Sequence, residues 1–144
     1  MRYRRASHGG LVLVVDDDPD FRQFVTAVLA SEHLFSVEAA DGEVALEIVA
    51  HVRPDLITLD LEMPRLTGWH MLEALRRDKG LASIPVFVIS GLSLADSRIT
   101  PGSVAWLCKK PLDVDTFVAK LRRRFPEAAR LAPTLARAGG MLHA

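Results

Sequence analysis

The chain has 144 residues, 49% apolar and 25% charged, with 18 basic and 18 acidic side chains and no formal net charge. That length suits one domain with a sizeable core, and the balance of charge gives no bulk attraction to nucleic acid or to a membrane surface. Cys108 is the single cysteine, which excludes an intrachain disulfide; with no secretory leader and no apolar run of spanning length, a cytoplasmic location without membrane insertion is expected.

Residues 1–9 are basic and are expected to form a flexible lead-in. LVLVV at 11–15 is continuous, apolar and β-branched, the pattern of a strand covered on both faces. A helix follows over DPDFRQFVTAVLASE, with Asp18 as cap, Pro19 in the first turn, and Phe21, Phe24, Val25, Val28 and Leu29 as one apolar stripe. FSVEAA (35–40) is a second strand, with Phe35, Val37 and Ala39 alternating; DGEVALEIVAHV (41–52) is a second helix, with Ala45, Ile48, Val49 and Val52 on one face. LITLD (56–60) is a third strand, EMPRLTG (62–68) a loop, and WHMLEALRRD (69–78) a third helix that buries Leu72 and Leu75. PVFVIS (85–90) is a fourth strand, VAWLC (104–108) a fifth, and DVDTFVAKLRRRF (113–125) a last helix, capped by Asp113 and stapled by Leu112 and Phe117. Between the fourth and fifth strands, Pro101 and Gly102 leave room for one poor or irregular turn of helix over 91–103. Residues 126–144 are expected to form a short tail, partly helical or disordered.

Repeated strand–helix alternation predicts a parallel sheet with helices on both faces, and such sheets bind ligands at the carboxyl ends of their strands. The residues at those ends are Asp16 and Asp17, Asp60, Ser90 and Lys110. Carboxylates held this close repel unless a cation sits among them, and hard divalent ions such as Mg²⁺ take oxygen ligands. A carboxylate can also be a nucleophile toward phosphorus, and phosphoryl transfer then needs little beyond positioning and positive charge. Lys110 offers that charge and Ser90 a hydrogen bond.

Blander roles suit the remaining candidates. Asp18 is assigned to the helix cap alone. Cys108 is expected to be a small buried strand residue. His8, His33, His51, His70 and His143 lack metal-ligand spacing and are expected at the surface. LRRR at 121–124 ends a helix, where cations suit the dipole, and is expected to be a solvated face.

LVLVVDDDPDFR, DLITLDLEMPRLTGW, IPVFVISG and CKKPLD, in this order and spacing over roughly residues 10–125, resemble the receiver domain of two-component response regulators. The resemblance implies a doubly wound, flavodoxin-like (βα)5 three-layer sandwich with strand order 2-1-3-4-5. It implies Asp60 as phosphoacceptor, Asp17 as direct Mg²⁺ ligand, Asp16 acting largely through water, and Glu62 offering its backbone carbonyl. Ser90 and Lys110 take the places of the family's hydroxyl and of the lysine in its Lys-Pro pair, and the Lys110–Pro111 bond is expected to be cis. A sensor histidine kinase or histidine phosphotransfer protein is the implied donor. With no DNA-binding domain following, output is expected through a downstream protein partner, the tail or onward transfer. Homodimerisation is left open. The chain is expected to be a signalling phosphoacceptor rather than an enzyme.

Three departures touch the output side. The family's aromatic residue, three positions before the lysine, is Leu107 here, with Trp106 one residue earlier; a residue inserted around Lys109, Trp106 as substitute switch and Leu107 as a packing residue are left open. The segment 91–103 is short and carries Pro101. Glu62 and Leu92 stand at positions that, in the family the chain resembles, tune loss of the phosphoryl group. Two rival functions stand beside the main one. The first is a receiver-like interaction module that works without phosphorylation. The second is a Mg²⁺-dependent phosphohydrolase, which would want a second Asp where Glu62 stands.

Overall fold

The computed structural model describes residues 9–63, 65–91, 99 and 104–131. The irregular turn expected within 91–103 falls, apart from Gly91 and Ile99, outside the described residues, as do Leu92, Pro101, His8, His143 and residues 132–144. In chain order the elements are β1 (Leu11–Val15), α1 (Pro19–Ser31), β2 (Phe35–Ala39), α2 (Gly42–His51), β3 (Leu56–Leu59), α3 (Gly68–Arg77), β4 (Val86–Ser90), β5 (Trp106–Lys109) and α4 (Val114–Arg124). The strands form one parallel sheet in the order β2-β1-β3-β4-β5.

Alternation within the continuous apolar strands divides the core in two. Leu13, Val15, Ile57, Leu59, Val86 and Val88 meet Ala45 and Val49 of α2 and Met71 and Leu75 of α3 on one face. Val12, Val14, Leu56, Phe87 and Ile89 meet Val25 and Leu29 of α1 and Phe117 and Leu121 of α4 on the other. The central strands are therefore apolar at nearly every position, Thr58 and the terminal Ser90 excepted, since neither face meets water. Leu112 and Phe117, the expected staple, belong to the same cluster. A further helical stretch at 126–131 packs Ala128 into it as well.

Asp18 caps α1 through a bond from the Asp20 amide (3.0 Å), with Pro19 at its first position. Asp41 caps α2 by accepting from the Val44 amide at 2.9 Å. At α4 the expectation is corrected. Asp113 holds the cap position but makes no side-chain bond to the backbone; the Thr116 hydroxyl donates to its carboxylate instead.

Five other expectations change. Phe24 is 45% exposed although it belongs to the apolar stripe. Successive residues turn by about 100°, so a stripe centred on Val25 and Leu29 leaves Phe24 at its margin. The fifth strand begins two residues later than the apolar run suggests, because pairing from Phe87↔Trp106 to Ser90↔Lys109 sets its limits. As that strand is an edge, Cys108 is half-buried rather than buried. His33 is half-buried rather than a plain surface residue: its backbone is left-handed (φ 61°), and Nε2 is buried with no partner among the described residues. Arg122 is more than a solvated cation, because its guanidinium grips the buried Glu32 at the end of α1 with two bonds, 2.9 and 3.2 Å. That pair ties α4 to α1.

Candidate phosphoryl-transfer site

Parallel register brings the strand ends together. Val15 pairs with Leu59, and the Asp60 amide donates to the Val15 carbonyl at 3.0 Å, so Asp16 and Asp60 leave adjacent strands side by side. Ser90 pairs with Lys109, and the Lys110 amide donates to the Ser90 carbonyl at 2.9 Å. Residues 94 positions apart in sequence, Asp16 and Lys110, thereby touch.

Asp16 is buried, and both its carboxylate oxygens are engaged. Oδ1 accepts from the Asp18 amide (2.9 Å) and Oδ2 from Lys110 Nζ (2.8 Å). Asp60 is buried too; its Oδ1 accepts from the Ser90 hydroxyl (3.0 Å) and the Glu62 amide (3.2 Å). Its Oδ2 lies 3.7 Å from Lys110 Nζ. Asp17 is exposed, and carboxylate oxygens of Asp16, Asp17 and Asp60 all lie within 4.8 Å of one another. Glu62 is exposed at the start of the loop that follows. The Lys110–Pro111 bond is cis.

Burial pushes the carboxyl groups of Asp16 and Asp60 above the usual carboxylate range. Asp60 adds to the effect on Asp16, and Asp17 to the effect on Asp60. Burial alone would lower Lys110, but its hydrogen bond to Asp16 and the charges of Asp16, Asp60 and Asp17 outweigh that and raise it. Three crowded carboxylates facing one ammonium are short of positive charge. An all-oxygen donor set of this kind fits a hard divalent cation.

Trp106 and Leu107 lie on opposite faces of the sheet. The Trp106 indole packs edge-on against Phe87 (5.4 Å between centroids) and stacks with Phe117 (6.1 Å) in the cluster under α1 and α4. Leu107 packs against the other cluster. Strand alternation puts them there, so Trp106 does not occupy the space on the Leu107 side.

Several residues that serve the site were not singled out from the sequence. Arg22 donates to the Asp16 carbonyl (2.8 Å) and to Glu38 (3.1 Å), fixing the turn between β1 and α1. The Phe21 ring lies under Lys110, with Nζ 4.3 Å from its centroid. Apart from Phe21's membership of the apolar stripe, their place in the helical turn just after the acidic pair is the only sequence signal either carries. Gly68, assigned to a loop, begins α3. A Cβ there would stand 2.1 Å from the Asp60 carbonyl oxygen and 2.6 Å from Leu61 Cα, both backbone atoms that cannot swing aside. Gly68→Ala is therefore expected to cost about 2 kcal/mol, measurable by urea denaturation, and to shift the Asp60 amide resonance. An unchanged midpoint would show that α3 can back away from β3.

A groove of about 570 Å³ lies among Arg53, Ser83, Pro85, Arg124 and Phe125, at the amino ends of the strands. It contains none of the residues above, and the candidate site rests on its chemistry rather than on concavity.

Residues 12–122 match the response regulator receiver domain family. The chain is 32% identical over 128 residues to the DNA-binding dual master transcriptional regulator RpaA of Synechocystis, a match covering 83% of this chain and 53% of that protein. It is 41% identical over 91 residues to a protein-glutamate methylesterase/protein-glutamine glutaminase of Bacillus licheniformis, covering 62% of this chain and 25% of the relative. The chain thus spans about half or less of these curated relatives. Among solved structures, the chemotaxis response regulator CheY4 of Vibrio cholerae superposes with a TM-score of 0.73 at 27% identity, over 81% of this chain and 98% of that one. The chain belongs to the response regulator receiver domain family, with the flavodoxin-like fold of its members. Among the described residues, no helix is long and apolar enough to cross a membrane.

Proposed function

We propose that Asp60 accepts a phosphoryl group from the phosphohistidine of a sensor kinase or phosphotransfer protein, and that the modified domain signals by changing its binding to a downstream protein. The observation that carries this is the convergence of Asp60, Ser90 and Lys110 with two further aspartates at one edge of the sheet. The donor's phosphorus–nitrogen bond breaks as a bond from an Asp60 carboxylate oxygen to phosphorus forms, and the leaving imidazole nitrogen keeps the electron pair and takes up a proton. Lys110 and the Ser90 hydroxyl stand where they can meet the phosphoryl oxygens. Asp17, Asp60 and the Glu62 carbonyl would hold Mg²⁺ directly; Asp16, whose oxygens are already engaged, would act largely through water. Bound there, the ion would neutralise the carboxylates and share the charge of the phosphoryl oxygens.

The test is incubation with Mg²⁺ and acetyl phosphate or phosphoramidate, read by intact mass. Wild type is expected to gain one phosphoryl group and Asp60→Asn none. Equal labelling of the two would overturn the assignment. A reading without phosphorylation draws on Leu107, an aliphatic residue at the switch position. It predicts partner binding that Asp60→Ala leaves intact.

A further inference from the structure

The ammonium of Lys110 has three distinct neighbours. One is the Asp16 carboxylate at 2.8 Å, the second the Asp60 carboxylate at 3.7 Å, and the third the face of the Phe21 ring, 4.3 Å from Nζ to centroid. Two of these are acids that a phosphoryl group or a cation would also engage. The ring alone is neutral and indifferent to that chemistry. Its negative face still attracts an ammonium, most strongly where water is partly excluded, and both Phe21 and Lys110 are half-buried.

The ring is itself held in place. Asp18 and Pro19 fix the start of α1, the Arg22 amide donates to the Asp18 carbonyl (3.0 Å), and the Arg22 guanidinium anchors the Asp16 carbonyl. Phe21 lies between these anchors, in the first turn. A lysine stem is long and rotates freely, and keeping it beside a carboxylate costs side-chain entropy. The ring limits that freedom by offering the ammonium a fixed aromatic face, 4.3 Å from Nζ to its centroid.

We propose that Phe21 is a positioning residue for Lys110: its ring keeps the ammonium facing Asp60, where the incoming phosphoryl group needs positive charge. This rests on the phosphoacceptor reading above. It adds a role for a residue that acts through Lys110, and it requires an aromatic face rather than mere bulk.

The variants that separate these requirements are Phe21→Leu, which keeps an apolar side chain of similar reach, and Phe21→Tyr, which keeps the ring. With acetyl phosphate and Mg²⁺, Phe21→Leu is expected to slow phosphoryl incorporation about five-fold, whereas Phe21→Tyr retains most of the rate. A second measurement needs no phosphorylation. In the folded protein, ring current is expected to move the Lys110 ε-methylene proton resonances upfield, an effect lost in Phe21→Leu and kept in Phe21→Tyr.

Equal rates for wild type and Phe21→Leu would overturn the inference, as would equal losses in both variants, which mark a packing role. Ordinary ε-methylene shifts in wild type would overturn it too. If wild type takes up no phosphoryl group at all, the phosphoacceptor reading fails instead, and the resonance measurement alone decides whether the ring holds the lysine.

Discussion

Asp60→Asn is expected to make the metal-free protein more stable at neutral pH, even as it removes the proposed phosphoacceptor. The sign follows from burial. Asp60 is 5% exposed, and desolvation, with Asp17 nearby, raises its pKa above the ordinary 3.8. Between those two values the folded protein binds more protons than the unfolded chain, so stability falls as the pH rises through that interval. The contribution is most favourable below pH 3.8, and above the folded pKa the ionised group is a net cost.

Asparagine keeps the shape, and its Oδ1 can still accept from Ser90 and Glu62, though the attraction between Asp60 and Lys110 is lost. A gain on the order of 1 kcal/mol would raise Tm by about 4 °C in a domain of this size. Thermal unfolding in chelator at pH 7 should show that rise, and at pH 4 the difference should shrink. Saturating Mg²⁺ should reverse the order, since ligand binding to the folded state stabilises wild type. A variant less stable than wild type in chelator at pH 7 would contradict the assigned direction.

Lys110→Ala should act in the opposite sense and more strongly. Asp16 is 1% exposed and Lys110 Nζ lies 2.8 Å away, so truncation leaves a buried carboxylate without its cation, beside two others. Breaking such a pair costs about 3 kcal/mol. Because the folded pKa of Lys110 is raised above 10.5, its contribution is fully present at pH 7 and is lost only as the pH climbs through the folded value. The deficit should narrow toward pH 4, where Asp16 takes up a proton instead. Phosphoryl incorporation should fall roughly a hundred-fold, the scale on which a charge-stabilising donor counts.

Lys110→Arg is expected to restore neither property fully, since a flat guanidinium does not fit the space of an ammonium between the ring and two acids. Lys109→Ala is the control. Lys109 is exposed at the end of the edge strand, and its loss should leave stability and labelling unchanged. If Lys109→Ala were the damaging variant, assigning the role to Lys110 rather than to its neighbour would be wrong.

Much of this was legible before any coordinates. Residues 11–15, 56–59 and 86–89 are apolar except for Thr58 because each strand is covered on both sides, and that pattern announces a central strand of a parallel sheet. Asp16, Asp17, Asp60, Ser90 and Lys110 could be picked out because each follows such a run. The cap at Asp18 was legible for a similar reason, as cap, proline and first turn are contiguous. Asp113 shows the limit of that logic. Its carboxylate has a nearby competitor in the Thr116 hydroxyl, and sequence does not say which partner wins.

What sequence determined by itself was therefore the alternation of elements and the list of groups at the strand ends, because both are written in local periodicity and adjacency. Tertiary structure decided which atoms of those groups meet. Lys110 bonds Asp16 and only approaches Asp60; Gly68 lets α3 lie against the Asp60 carbonyl; Arg122 reaches Glu32; Phe21 supports the lysine. Each is a contact between separate segments, fixed by parallel register and helix packing, and no window of neighbouring residues contains it. The acidic run after β1 is the clearest case. Its charge is local, but the burial of Asp16 against Asp60 and Lys110 is a product of the folded sheet.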